Sequence, residues 1–377
     1  MSPVFDVVIA GAGIMGLACA LEEARRGKSV GVFDPSTSAA QASFAAAGIL
    51  VTRDARVFAS SFREFYVRSI RQYPEWLAGI STIPGAEVSL HSGGDHLVFD
   101  LDDPAAREKM AAKERQLERE HSHDFTVTDA LPDILKGHCP AGNVKVFHFT
   151  GEAYVQNRDL LVALRLACET AGVVFRFGSP TLPWEYSGGF TRIRFNDEEW
   201  EARKVLIAAG AWSTDLLGSL GIAAPMVVVK GQLARIQKFH GTDGMIHFND
   251  DFYLVPRGNS LVAGATTEPG VWSEGFDEVG EAYLESRLRK YLPEISRQRL
   301  ESWSGFRPRP RDRLPWMGWV DADRGWAICT GHYKCGISMA PLAAQCMSRL
   351  MAGEKTPFDL APFNPWRSRG LTRLKAA

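Results

Sequence analysis

The chain holds 377 residues, enough for roughly two to three domains at ~150 residues each. Its 43 Lys+Arg against 44 Asp+Glu leave a formal net charge of -1, so no basic excess points to nucleic acid or an anionic membrane. With 45% hydrophobic and 23% charged residues, the composition excludes wholesale disorder and allows a large core without disulfides or a structural metal.

Val4 to Ala10 is a nearly continuous β-branched run, the pattern of a strand covered on both faces. Ile14, Leu17, Ala18 and Leu21 recur at helical spacing and predict a helix stopped by Gly27, with a second strand from Ser29 to Asp34. From Arg56 to Leu77 the residues Phe58, Phe62, Phe65, Ile70, Tyr73 and Trp76 predict one long helix with an apolar face. Pro104 to His121 reads as a helix whose dense mixed charge is a solvated face, and Asp159 to Ala171 as a third, ended by Gly172. Strands are then expected at Val173–Phe177, Phe190–Phe195, Val205–Ala209, Met226–Val229, Tyr253–Val255 and Leu261–Ala263, with a helix at Tyr283–Tyr291. The last stretch reads as a Pro/Arg-rich loop, a strand at Trp326–Thr330 and a helix starting near Pro341.

The cysteines, Cys19, Cys139, Cys168, Cys329, Cys335 and Cys346, form no C-x-x-C pair, which argues against a zinc site; no metal is expected. Scattered thiols of this kind fit a reducing compartment. No apolar run approaches the ~18 residues of a membrane span. The amino terminus leads straight into a strand without a basic leader, so a cytoplasmic protein is expected.

Gly11-Ala12-Gly13-Ile14-Met15-Gly16 matches G-x-G-x-x-G between a strand and a helix, and the acidic Asp34 ends the next strand. In that context Gly11 permits a tight turn, Gly13 lets the backbone approach a pyrophosphate, and Gly16 packs the helix close. The helix start, with Ile14 and Met15, offers N–H groups to phosphate. Asp34 accepts from ribose hydroxyls and repels a 2′-phosphate, so NAD or FAD is expected rather than NADP. Two small-residue segments favour FAD. They are Ser43-Phe44-Ala45-Ala46-Ala47-Gly48-Ile49-Leu50, and Ala208-Ala209-Gly210-Ala211-Trp212-Ser213 after a strand.

Together with Lys230-Gly231-Gln232, Tyr253-Leu254-Val255-Pro256-Arg257, Gly264-Ala265-Thr266, Trp303-Ser304-Gly305-Phe306-Arg307-Pro308 and Gly331-His332-Tyr333-Lys334-Cys335-Gly336-Ile337, these segments resemble the D-amino-acid oxidase and glycine oxidase superfamily. The likeness is weakest between about 86 and 147. It implies an α/β fold, a Rossmann-like FAD-binding domain interleaved with a second α+β substrate domain on a mostly antiparallel sheet. Residues 1–85, 148–221 and 303–377 are expected to form the first, and 86–147 with 222–302 the second. The cofactor implied is non-covalent FAD, touching Gly11, Gly13, Ile14, Met15, Gly16 and Asp34 at the start. Ser43, Ala46, Ala47, Gly48, Ala209, Gly210 and Trp212 follow in the middle, and Gly331, His332, Gly336 and Ile337 near the end.

The activity implied is oxidation of a small amino acid (glycine, sarcosine or D-amino acid type) by hydride transfer to the flavin. Oxygen is expected as acceptor, with a quinone or other carrier as the alternative, or with an N-methyl or larger amino acid as substrate. Thr267 stands where sarcosine oxidases present a lysine thought to help oxygen react. By resemblance Arg307 anchors the carboxylate through its planar fork, and Tyr253 assists. Lys334 stands where glycine oxidases carry a second arginine, keeping the charge and losing the fork. Arg309, Arg311 and Arg313 are expected to be solvated or paired to carboxylates such as Asp312, and His332 to bond backbone rather than act as a base. The turn Gly331 to Gly336 is expected beneath the flavin, where helix-start N–H groups favour negative charge. A homo-oligomer is compatible with all of this.

Overall fold

The structure is a computed structural model that describes residues 2–35, 41–53, 59–120, 125–132, 135–136, 143–237, 244–248, 252–293 and 299–374. Val4–Ala10 lies mid-way in a parallel layer ordered Val174–Phe177, Val30–Asp34, Val4–Ala10, Glu199–Ile207, Trp326–Thr330. On one face the helix Ile14–Arg25 packs between the helices Asn157–Thr170 and Gly336–Met351, which is why Val7 and Ile9 are buried. The other face is covered by an aromatic cluster around Trp184, Trp200 and Trp316. Antiparallel strands extend the layer at Phe190–Arg194 with Glu185–Ser187, and at Trp316–Asp321. From Val4–Ala10 the chain continues to a neighbour on one side and places Glu199–Ile207 on the other. Such a reversal opens a crevice at the carboxyl ends of the strands.

A second sheet runs Glu268–Pro269, Met226–Gln237, Ser260–Gly264, Tyr253–Arg257, Met245–Phe248, Asp95–Asp100, Val144–Phe149, Phe125–Thr128, with Arg299–Pro310 along the free side of Met226–Gln237. Among the described residues its pairs are antiparallel except Met245–Phe248 with Asp95–Asp100. The fold is therefore α/β, a Rossmann-like layer joined to a mostly antiparallel sheet. Among the described residues no helix is long and apolar enough to cross a membrane.

Several elements differ from expectation: the strand expected at Met226–Val229 runs on to Gln237, and the helix expected at Tyr283–Tyr291 already starts at Glu278. The helix expected over 56–77 is two, Ser60–Arg71 and Tyr73–Ile80, because Pro74 has no N–H and its ring clashes with the carbonyl of Ile70; 56–58 lie outside the described residues. The expected Pro/Arg-rich loop is instead the strand Arg299–Pro310. Pro308 and Pro310 are tolerated there because the strand is an edge, pairing among the described residues on one side only. The last helix starts at Gly336, and Pro341 sits inside it. The Ile337 carbonyl that Pro341 leaves without an N–H accepts from Tyr73 Oη at 2.5 Å. Cys139 and His121 lie outside the described residues.

Candidate cofactor and substrate site

A cavity of about 1030 Å³ lies at the carboxyl ends of the parallel strands and against one face of the second sheet. Gly11 has φ +110, and a Cβ there would lie 2.6 Å from the Ala208 carbonyl oxygen, so the first turn sits directly on the Ala208–Gly210 return. Gly16 does not line the cavity; a Cβ on it would be 1.8 Å from Gly11 O, so its absence lets the helix seat on the turn. Gly13, Ile14 and Met15 line the cavity, and the Ile14 N–H donates to Ser43 Oγ at 3.1 Å. Asp34 lines it too, its Oδ2 accepting from the Ala12 N–H at 2.7 Å.

Ser43, Ala46, Ala47 and Gly48 form a second wall. The Asn157 amide donates to the carbonyls of Ser43 (2.8 Å) and Phe44 (3.0 Å), Trp303 Nε1 to Ala45 O (3.1 Å), and Arg257 to Ala47 O. Gly48 has φ +70, and a Cβ on it would lie 2.0 Å from Val155 O. Burial pulls the Arg257 guanidinium down to about 10, with the Arg158 charge adding a little in the same direction. These ties fix the backbone of a small-residue segment that begins as the short helix Gln41–Ala45 and ends in the strand Ile49–Leu50. Ala209, Gly210 and Trp212 line the third side, with Gly210–Trp212 in a 3₁₀ turn and Trp212 edge-on to Phe306. Gly331, His332, Gly336 and Ile337 complete it. His332 is buried, and its Nε2 has no hydrogen-bond partner among the described residues.

Arg307, Tyr253 and Lys334 line this same cavity. Arg307 Nη1 donates to the Thr266 carbonyl at 3.0 Å, and among the described residues no carboxylate pairs with its guanidinium. Tyr253 stands on the same sheet; burial raises its pKa, against a smaller opposing effect of Arg307 and Arg257, so the phenol stays protonated. Lys334 is exposed, its ammonium 5.7 Å from the Tyr333 ring. The Asp312 carboxylate does not pair with its arginine neighbours. It takes Arg367 at 2.7 and 3.0 Å, because the chain's return brings Arg367 alongside. Arg309 stacks over Tyr333.

His247 and Tyr66 also line the cavity and carried no sequence signal, while Ala265 and Cys335 line it from within the Gly264–Thr266 and Gly331–Ile337 segments. Burial pushes the Cys335 thiol up to about 12, so it is neutral there. Ser179 and Pro180 also line the cavity, just past the strand beside Asp34; the parallel-sheet rule that ligands sit at strand carboxyl ends would have found them.

The "FAD dependent oxidoreductase" family model matches residues 6–350. The chain belongs to that family. Its cofactor is FAD, and the residues present fit that group: Gly11, Gly13, Ile14, Met15 and Asp34 line the cavity at the glycine turn, and His332 offers a buried polar atom without a hydrogen-bond partner among the described residues. It is 26% identical to a glycine oxidase of Geobacillus kaustophilus over 97% of this chain and 98% of that protein. It is 28% identical to a glycine oxidase of Pseudomonas aeruginosa over 95% and 98%. The crystal structure of the Geobacillus kaustophilus glycine oxidase superposes with a TM-score of 0.87 at 25% identity, covering 98% of this chain and 100% of that one. That of an iminodiacetate oxidase from Chelativorans sp. BNC1 gives 0.83 at 22%, covering 95% and 98%, a likeness of fold.

Proposed function

We propose that the enzyme oxidises a small amino acid, of glycine, sarcosine or D-amino acid type, to its imine, which water converts to the keto acid and ammonia (or a primary amine from an N-methyl substrate). Oxygen takes the electrons and leaves as hydrogen peroxide. One observation carries the reading: the Arg307 guanidinium, without a carboxylate partner among the described residues, stands in the same cavity as the dinucleotide cradle. Similarity to glycine oxidases supports it.

Bound non-covalently, FAD supplies the two-electron acceptor for hydride leaving the substrate α-carbon. Arg307 grips the carboxylate with two parallel N–H bonds. The neutral Tyr253 hydroxyl donates a further hydrogen bond, and its ring covers the reacting carbon. Lys334 adds positive charge at the rim. On this reading, residues 1–85, 148–221 and 303–377 form the FAD-binding domain, from whose last stretch Arg307 and Lys334 reach the substrate, 86–147 with 222–302 form the substrate-binding domain, and the enzyme works in the cytoplasm. Free thiols at Cys19, Cys168, Cys329, Cys335 and Cys346 support that compartment.

The test is an anaerobic panel of glycine, sarcosine and both enantiomers of other amino acids, read as loss of flavin absorbance. Bleaching by at least one is expected; no bleaching by any overturns the reading. Adding oxygen then separates the acceptors, since rapid return of colour with peroxide is expected and sluggish return would assign a different carrier. Denaturation should release all of the yellow colour from the protein.

A further inference from the structure

His247 lies directly opposite Tyr253 on adjacent antiparallel strands, their ring centroids 5.7 Å apart, and it lines the same cavity. Directly opposed residues share a face of a sheet. One face therefore runs Trp303, Leu233, Gly264, Tyr253, His247 from strand to strand, and Arg307 shares it by its even spacing from Trp303. The cavity wall thus carries the guanidinium toward one edge, the phenol within it, and the imidazole one strand, ~4.8 Å, beyond the phenol. Ile49 and Val51, which also line the cavity, pack in one apolar cluster with Tyr253, and Tyr66 Oη donates to the Val51 carbonyl at 2.9 Å.

The imidazole is held from behind. His247 Nδ1 lies 2.8 Å from Asp95 Oδ1, and the fully buried Asp95 side chain pairs with the guanidinium of Arg53, itself 3% exposed. Arg53 packs over the Phe149 ring, and the Glu152 carboxylate accepts the N–H groups of Thr52 and Arg53 at 2.7 and 2.8 Å. Burying an ion pair is expensive in desolvation. Here it commits Nδ1 to Asp95 and leaves Nε2 as the polar atom of a ring that lines an otherwise largely apolar end of the cavity.

We propose that His247, positioned by Asp95, is the specificity-determining residue of a side-chain subsite, selecting amino acids whose side chain carries a hydroxyl or carboxamide. The inference rests on the amino-acid oxidation reading above. With the carboxylate on Arg307 and the α-carbon under Tyr253, the substrate side chain extends toward His247. A hydroxyl or carboxamide both donates and accepts, so it satisfies Nε2 whether the ring is neutral or charged. An apolar side chain of the same shape strips water from that nitrogen and returns nothing.

The test compares kcat/KM of the FAD-loaded enzyme for near-isosteric pairs, serine against 2-aminobutyrate and asparagine against leucine, in both enantiomers. The ratio within each variant cancels any general loss of activity. A polar preference of at least about tenfold is expected in the wild type. In His247→Leu the ratio should fall to within about threefold of unity, with His247→Gln restoring part of it and Asp95→Asn moving it in the same direction as His247→Leu. Should His247→Leu fail to fold or load FAD, the Gln and Asn variants decide on the same ratio. An unchanged ratio in the variants, a wild-type preference for the apolar member, or bleaching by glycine alone overturns the subsite while leaving amino-acid oxidation standing. Bleaching by no amino acid at all overturns the function itself.

Discussion

The Arg307 guanidinium rests on the backbone of Gly231: a Cβ at that glycine would lie 2.0 Å from Nη2 and 2.2 Å from Cζ. The atoms in conflict are the far end of a flexible side chain, so Gly231→Ala should fold normally and displace Arg307. Loss of a charge-assisted, two-pronged grip predicts a fall in kcat/KM of about a hundredfold with unchanged FAD content and thermal stability. Arg307→Lys should fall comparably, because an ammonium has no fork. Steady-state kinetics beside visible spectra check both; a Gly231→Ala enzyme of wild-type kcat/KM would remove Arg307 from carboxylate binding.

Gly11→Ala should act on the cofactor instead. Its φ of +110 disfavours a side chain, and its Cβ would meet Ala208 O at 2.6 Å, a backbone atom that cannot swing aside. FAD affinity should fall on the order of a hundredfold from strain and clash together. Titration of the stripped protein with FAD, followed by flavin fluorescence, measures it.

The hydrogen bond from Tyr73 Oη to the Ile337 carbonyl substitutes for the one Pro341 cannot make. Tyr73→Phe leaves that carbonyl buried without its donor, at a cost of about 1–3 kcal/mol. Thermal unfolding of the FAD-loaded enzyme should shift down by several degrees, and an unchanged midpoint would show the carbonyl satisfied otherwise.

His96 stacks on His148 at 4.2 Å, and burial, then the charge of His148, pulls its pKa down to about 4 against a smaller opposing effect of Asp95. The unfolded chain therefore binds more protons than the folded one between pH 6.5 and about 4. Stability from this group is intact above pH 6.5 and is lost as pH falls through that window. His91, lowered chiefly by burial, acts in the same direction. Denaturant midpoints measured from pH 7 to 4 should decline less steeply in His96→Gln than in the wild type.

Much of the cofactor half was legible along the chain. A β-branched run, a glycine turn, a 3.6-period helix and a terminal Asp34 are contiguous signals, and each is set by local backbone sterics and burial. The motifs holding Arg307, Tyr253 and Lys334 were likewise readable one by one. Their joint placement was not, nor was the strand status of Arg299–Pro310, since proline chemistry alone reads as loop until an edge position makes it harmless. Sequence determined which short segments can bend around a dinucleotide and which residues can grip a carboxylate. Only tertiary structure decided that Arg307 lies over Gly231, that Tyr73 caps Ile337, and that Asp95 stands behind His247. Those pairs meet through strand register and helix packing between distant parts of the chain, and non-local pairing of that kind leaves no periodic or contiguous trace in either segment.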